Sequence, residues 1–217
     1  MATTVPTFTA AQVRAAEAPL LAAGVPLMRR AATALAEVIA AQKPERMLVL
    51  AGPGDNGGDA LFAAADIAAG GVPVDILRTS DRVHEEALRA ATEAGAMGIR
   101  LDELDPSAYD VIVDGILGIG ARGALRGQAR DAVTALLSAS AVVIAVDLPS
   151  GLDADTGAAD DVVLAARTTV TFGAVKAGLT RREGPRLCGR IVLVDIGLSL
   201  DPDDAVGEAA VAERRAG

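Results

Sequence analysis

The sequence is poor in aromatic residues, histidine, cysteine and lysine. Its 217 residues contain no Trp, one Tyr, three Phe, one His and one Cys. A single Cys excludes an intramolecular disulfide, and a single His excludes metal sites built from several histidines. Aromatic residues make up only 2% of the chain and the net charge is −9. This composition argues against a nucleic-acid partner, because such proteins stack bases on aromatic rings and attract phosphates with positive charge.

Signals for export and for membrane insertion are also missing from the sequence. The N-terminus lacks a basic segment followed by an apolar one, and no apolar run reaches the length of a membrane span. We therefore expect a cytoplasmic protein that acts on a small molecule and has no membrane partner. The length predicts one domain over residues 1–217. Residues 1–6 are polar and are predicted to be a frayed tail. Residues from about 201 to 217 are polar and rich in alanine, and they are expected to be either a frayed tail or a connection to another segment.

Short apolar runs alternate with helical patterns along the chain. The runs at residues 47–51, 111–117 and 141–148 are continuous, which is typical of strands buried on both faces of a sheet. A helical pattern at residues 59–69 is one of those that separate them. We predict an α/β fold, a three-layer α/β/α sandwich of Rossmann-like type with a mostly parallel sheet.

Glycine-rich loops follow three of the predicted strands, where open α/β sheets bind their ligands. The loop at residues 52–59 has the spacing G-x-G-x-x-G of dinucleotide-binding proteins. Asp55 and Asp59 oppose that interpretation, because they put negative charge where a pyrophosphate would lie. Arg78 also occupies the place where an acidic residue is expected. An NADP-linked oxidoreductase stays an alternative, and so does a tight turn in which Asp59 caps the following helix.

The second loop combines glycines with positive charge. Arg122 and Arg126 lie beside glycines just before a predicted helix. Backbone N–H groups and guanidinium groups in this arrangement suit a phosphate. The alternative is that both arginines are solvated surface charges.

Carboxylates end two of the predicted strands. Asp114 and Asp147 each follow a buried apolar run, where desolvation favours the protonated form and makes them candidate acids or bases. The alternative is that they only accept hydrogen bonds from loop amides. Together with Asn56 and Ser150, Asp114 could offer oxygen ligands to a hard cation, and a single full charge favours a monovalent ion.

At these loops the sequence resembles the NAD(P)H-hydrate epimerase family, the YjeF N-terminal domain. The resemblance covers nearly the whole chain. The matching segments are AGPGDNGGDAL (51–61), DVIVDGILGIGARGALRG (110–127), VIAVDLPSGLDADTG (143–157) and TVTFGAVKAGL (169–179). The resemblance implies an isomerase of nicotinamide nucleotide repair that interconverts the R and S forms of hydrated NADH and NADPH at nicotinamide C6. Its functional partner would be an S-specific dehydratase, and a homodimer is a further expectation.

Family membership also implies which residues form the site. The substrate-binding residues would be Asp55, Asn56, Gly57, Gly58 and Asp59 of the first loop, Gly118, Ile119, Gly120, Ala121, Arg122, Gly123 and Ala124 of the second, and Asp147. One potassium ion per subunit would bind to Asn56, Asp114 and Ser150. We predict that Asp147 is the catalytic acid and base at C6, with Asp114 as second candidate. A non-catalytic nucleotide-binding or scaffold module of the same fold stays open.

A few residues depart from the family pattern or leave their role open. Asp55 stands where the family usually has Asn, and Arg29 where it usually has Glu. The chain has only two lysines, Lys43 and Lys176. Lys43 is expected to be an ordinary cation at a helix end. Lys176 is expected either to reach the ligand or to form a structural ion pair.

Overall fold

The computed structural model describes residues 3–120 and 124–217. The strands are β1 (Thr3–Phe8), β2 (Met47–Ala51), β3 (Val74–Arg78), β4 (Met97–Ile99), β5 (Val111–Gly115), β6 (Val142–Val146), β7 (Thr168–Phe172), β8 (Val175–Lys176), β9 (Arg190–Asp195), β10 (Gly207–Val211) and β11 (Glu213–Ala216). The helices are α1 (Ala10–Ala22), α2 (Leu27–Ala40), α3 (Asp55–Ala69), α4 (Glu85–Glu93), α5 (Gly127–Leu136) and the short α6 (Gly184–Leu187). Within the described ranges, none of them is long and apolar enough to cross a membrane.

Eight of the strands form one parallel sheet in the order β11-β9-β7-β6-β5-β2-β3-β4. Continuous apolar runs build it because both of its faces are buried. In β2, Met47 and Val49 pack with α2, α3 and α4, whereas Leu48 and Leu50 pack with α5 on the opposite face. The predicted three-layer sandwich with a Rossmann-like parallel sheet is confirmed.

The chain ends differ from the prediction of frayed tails, which is wrong for the described part of both segments. The strand β1 pairs antiparallel with β10 and parallel with β8, which makes a second sheet of three strands. The strand β11 extends the main sheet beside β9. The two ends are ordered because each satisfies the backbone hydrogen bonds of a partner strand and buries alternate residues such as Val5, Ala209 and Val211.

The helix α3 starts at Asp55, four residues before the predicted start at Asp59. The glycines of its first turn look like loop residues in the sequence, because glycine is a poor helix former. Here they are required by close packing. A Cβ at Gly57 would lie 2.1 Å from the Gly52 carbonyl oxygen, so the helix can approach the end of β2 only without a side chain at that position.

We expect Gly57→Ala to destabilise the protein by about 1–3 kcal/mol, because the added methyl group forces a backbone shift. Urea denaturation measures this difference as a change in the free energy of unfolding. Gly98→Ala is the matched control, since a Cβ at Gly98 would meet nothing within 4 Å. Equal stability of the two variants would contradict the close approach.

Candidate active site

The carboxyl ends of the central strands converge, as their parallel arrangement requires. Ala51 of β2 lies opposite Gly115 of β5, and Val146 of β6 lies opposite Val170 of β7. Above them is a cavity of about 660 Å³. Its lining includes residues of the three predicted loops and of several other segments. The lining residues are Glu17, Leu21, Leu27, Met28, Ala31, Pro53, Gly54, Asp55, Asn56, Asp59, Arg82, Ile116, Leu117, Gly118, Ile119, Gly120, Asp147, Phe172, Lys176 and Ile196.

Asp147 lies in this cavity directly after β6, in a strained backbone conformation. Its φ of 69° is in the left-handed region, which non-glycine residues seldom occupy. Its Oδ1 accepts hydrogen bonds from Thr171 Oγ1 at 3.0 Å and from the Phe172 N–H at 3.3 Å. The turn therefore directs the carboxylate toward the end of β7, where these two donors hold it.

Lys176 of β8 supplies the positive charge for this carboxylate. Its Nζ donates to Asp147 Oδ1 in an ion pair whose two side chains are 1% and 6% exposed. Nζ also donates to the Phe172 carbonyl oxygen at 2.8 Å and to Thr171 Oγ1 at 3.2 Å. Lys176 thus does both of the things that the sequence left open, because it lines the cavity and forms a buried ion pair. The ion pair fixes the Asp147 carboxylate beside Lys176 at the edge of the cavity.

Asp59 is a second buried carboxyl group in the cavity lining, and its surroundings are different. It is 6% exposed, and its Oδ1 has no hydrogen-bond partner among the described residues. Desolvation raises the pKa of Asp59 well above its usual value, and the negative charges of Asp147, Asp55 and Glu17 raise it further. The alternative role of Asp59 as a helix cap is wrong, because α3 starts at Asp55 and places Asp59 in its second turn.

Asp114 and Ser150 form a closed hydrogen-bonded unit that does not belong to the cavity lining. Ser150 donates to Asp114 twice, from Oγ to Oδ1 at 2.6 Å and from N–H to Oδ2 at 2.8 Å. Asp114 is fully buried, and this desolvation raises its pKa, although the hydrogen bonds from Ser150 and the Ile116 N–H oppose the rise. The structure therefore surrounds the second catalytic candidate with donors instead of presenting it to a ligand.

Asn56 connects that unit to the cavity. Its Nδ2 donates to the Val146 carbonyl oxygen at 2.6 Å and to the Leu117 carbonyl oxygen at 3.1 Å. The Leu117 N–H in turn donates to Ser150 Oγ at 2.9 Å. The three predicted cation ligands, Asn56, Asp114 and Ser150, are thus linked through one set of strand-end contacts.

The remaining predicted substrate residues fall into four groups. Asp55, Gly118, Ile119 and Gly120 line the cavity, whereas Gly57 and Gly58 are buried inside α3. Ala124 lines a neighbouring cavity of about 430 Å³ that shares Leu117 and Gly118 with the first. Ala121, Arg122 and Gly123 lie outside the described residues. Their predicted contact with a phosphate therefore stays a prediction.

Comparison with known proteins assigns the chain to a family. The family model described as YjeF-related protein N-terminus matches residues 24–178. The chain belongs to this family. A crystal structure of a yeast protein shares the fold with a TM-score of 0.75 at 19% identity, and the match covers 95% of this chain and 100% of that one.

Curated relatives of this YjeF-related chain extend over most of its length. It is 56% identical to an NAD(P)H-hydrate epimerase of Microbacterium testaceum, over 88% of this chain and 78% of that protein. It is 51% identical to an NAD(P)H-hydrate epimerase of Clavibacter sepedonicus, over 94% of this chain and 95% of that protein. A bifunctional NAD(P)H-hydrate repair enzyme of Mycobacterium tuberculosis is 42% identical over 90% of this chain, which spans only 42% of that protein.

Sequence reasoning missed Glu17, which α1 contributes to the cavity from outside the segment that the YjeF-related model matches. It is half-buried, and desolvation raises its pKa while Lys176 opposes the rise. The helix begins at Ala10 after the N-cap Thr9, whose side chain and that of Gln12 form a capping box. Glu17 lies one turn after the buried Val13, so its i, i+4 spacing from an apolar residue was the signal that could have placed it on the buried side of the helix.

We expect Lys176→Met to lower the free energy of unfolding of the YjeF-related chain by about 3–5 kcal/mol, because it leaves Asp147 buried without its positive partner. Chemical denaturation measures the loss. The matched control is Lys43→Met, since Lys43 is exposed and forms no ion pair within the described residues. An unchanged midpoint for Lys176→Met would contradict the role of the ion pair.

Proposed function

We propose that this chain is an isomerase that epimerises the R and S forms of hydrated NADH and NADPH at nicotinamide C6, and so takes part in nicotinamide nucleotide repair. The two relatives named NAD(P)H-hydrate epimerase, at 56% and 51% identity, support this activity. The observation that carries it is the buried Asp147–Lys176 pair at the floor of a strand-end cavity. The cavity volume of about 660 Å³ is within the range of small-molecule sites.

The side chains of the cavity suit proton transfer. Its ionisable lining consists of Glu17, Asp55, Asp59, Asp147 and two cations, and no Cys or His is among the described lining residues. Carboxyl groups in a desolvated site are effective general acids and bases, and they need no covalent intermediate. The epimerisation of a hydroxyl-bearing carbon by loss and return of water needs only such groups.

In the reaction we propose, the hydrated ring lies over the strand ends with its C6 hydroxyl toward the carboxyl groups. Protonation of the hydroxyl lets water leave, while the lone pair of the ring nitrogen forms a double bond to C6. Water then adds to the other face of the planar ring cation and loses a proton to a carboxylate. In its simplest form Asp147 is both acid and base. Its ion pair with Lys176 suits it best to the steps in which it faces the cation and accepts a proton.

A potassium ion held by Asn56, Asp114 and Ser150 is a further part of the proposal. The residues fit such an ion, because Asp114 is fully buried and no described lysine or arginine forms an ion pair with it. All three residues would offer the ion an oxygen ligand. The described residues hold no cluster of three or more His, Cys, Asp or Glu that suits a multivalent metal. The ion would offset the charge of Asp114 and fix the loops that carry Asn56 and Ser150.

For this ion we expect the thermal midpoint to fall by several degrees when potassium chloride is replaced by tetramethylammonium chloride at equal concentration, because a ligand of the folded state stabilises it. Asp114→Asn removes the charge that attracts the ion, so its midpoint should not respond to the exchange. A wild-type midpoint that is the same in both salts would contradict the proposed site.

The proposed product leads to a proposed partner. An S-specific dehydratase would consume the S form, and the bifunctional repair enzyme of M. tuberculosis, of which this chain spans 42%, supports such a functional link. The diphosphate of the substrate would lie at residues 118–124, the second predicted loop. The homodimer and the cytoplasmic location stay predictions.

The test of the proposed function is a coupled assay with purified R-hydrate, an S-specific dehydratase and the chain. We expect the near-ultraviolet absorbance of reduced nicotinamide to return only when the chain is present. Asp147→Asn should lower the rate about 10²–10⁴-fold, the usual contribution of a general acid or base. Asn accepts the left-handed backbone of this position, so the turn is retained.

Asp131→Asn, on the exposed side of α5, is the control and should keep the wild-type rate. No return of absorbance with the wild-type chain would overturn the proposed function and favour a binding or scaffold module. Hydride transfer from intact NADPH to a carbonyl compound would favour the oxidoreductase instead.

A further inference from the structure

Asp59 is a cavity residue for which the simplest reaction scheme has no use. It lines the same cavity as Asp147 and Lys176, yet it is almost completely buried and its Oδ1 has no partner among the described residues. Buried polar groups are nearly always hydrogen-bonded, because desolvation without a partner costs free energy. An unpartnered carboxyl group in the wall of a ligand cavity therefore indicates a group that acts on the ligand.

The charges around Asp59 come from several elements and most of them are negative. Glu17 approaches from α1, Asp55 from the first turn of α3, and Asp147 from the end of β6, whereas Lys176 of β8 is the opposing positive charge. Arg82 also lines the cavity, and the His84 ring lies next to Gly58, the residue before Asp59. Burial and the three carboxylates together raise the pKa of Asp59 well above its usual value, which favours its protonated form.

Two carboxyl groups of the same chemistry thus have opposite environments in one cavity. Asp147 accepts hydrogen bonds from Lys176, Thr171 and the Phe172 N–H, and one of these donors carries a positive charge. The Oδ1 of Asp59 has no such donor among the described residues, and burial raises the pKa of Asp59. When two titratable groups in one site have such different environments, one of them can act as the acid and the other as the base.

On the basis of the proposed epimerisation, we propose that Asp59 is the catalytic acid that protonates the leaving C6 hydroxyl, and that Asp147 is the carboxylate that takes the proton of the returning water. The proton of Asp59 leaves with the departing water as the C6–O bond breaks. The nitrogen lone pair forms the N–C6 double bond, which opens again when water adds to the other face. Asp147 then gives its acquired proton to solvent and Asp59 takes one up, so only the configuration at C6 has changed.

Asp59→Asn tests this assignment, because the amide has the same shape and cannot act as an acid. We expect kcat in the coupled assay to fall about 10²–10⁴-fold while KM changes little. Asp59→Glu, which restores an acid, should recover part of kcat. The control is Asp66→Asn, an exposed aspartate on the same helix, which should keep the wild-type rate.

A stability measurement separates a catalytic role from a structural one. The pKa of Asp59 is raised in the folded protein. Its contribution to stability is therefore complete at a pH below the pKa of Asp59 in the unfolded chain, and it declines as the pH rises toward the pKa in the folded protein. Asparagine is neutral throughout. We therefore expect Asp59→Asn to raise the thermal midpoint by at least about 2 °C at about pH 8, and the gain to disappear near pH 4. If the role of Asp59 were structural, Asp59→Asn would lower the thermal midpoint at both pH values.

The outcomes are distinct. Loss of kcat together with a pH-dependent gain in midpoint supports the assignment. A wild-type rate for Asp59→Asn, in a chain that does epimerise the hydrate, overturns the role of Asp59 and leaves the proposed function standing. An inactive wild-type chain overturns both. If Asp59→Asn does not fold, a ¹³C NMR titration of the wild-type aspartate side chains decides, and a carboxyl signal for Asp59 that titrates in the usual range overturns the assignment.

Discussion

The buried ion pair between Asp147 and Lys176 is the interaction on which the site depends. Asp147 comes from the end of β6 in the large sheet, and Lys176 comes from β8 in the small sheet, so the pair joins the two sheets at the cavity. Lys176 is held in place because Phe8 of β1 lies opposite it, and β1 in turn pairs with β10. The two ends of the chain thus position a charge in the cavity, although neither end carries a residue that the sequence marked as functional.

The cavity also shows how one side-chain type acquires several roles. Asp147 has a cationic partner, Asp114 is enclosed by neutral donors from Ser150 and the Ile116 N–H, and Asp59 has no partner among the described residues. These three aspartates are all buried and all lie near strand ends or the following helix. We propose different roles for them, a base, a cation ligand and an acid, respectively, because the fold places different donors and charges beside each.

The large sheet and the three loops that contribute to the site could be predicted from the sequence. The continuous apolar run at residues 47–51 became a strand with the expected bounds, since only a strand buried on both faces needs such a run. The small sheet could not be predicted, because β8 has two residues and β10 is mostly exposed, which leaves no clear period. The start of α3 was also missed, since its glycines are there for a close backbone approach that the sequence does not display.

The sequence by itself determined the parallel α/β fold, the family, and the convergence of three loops at the strand ends, because periodicity and chain order fix which edge of the sheet they share. Only the tertiary structure decided which aspartate has a positive partner and which has none. It also brought Glu17 and Lys176 to the cavity from segments far from those loops. The physical reason is that protonation and charge pairing depend on burial and on distances of a few ångströms, and these arise only when remote segments pack together.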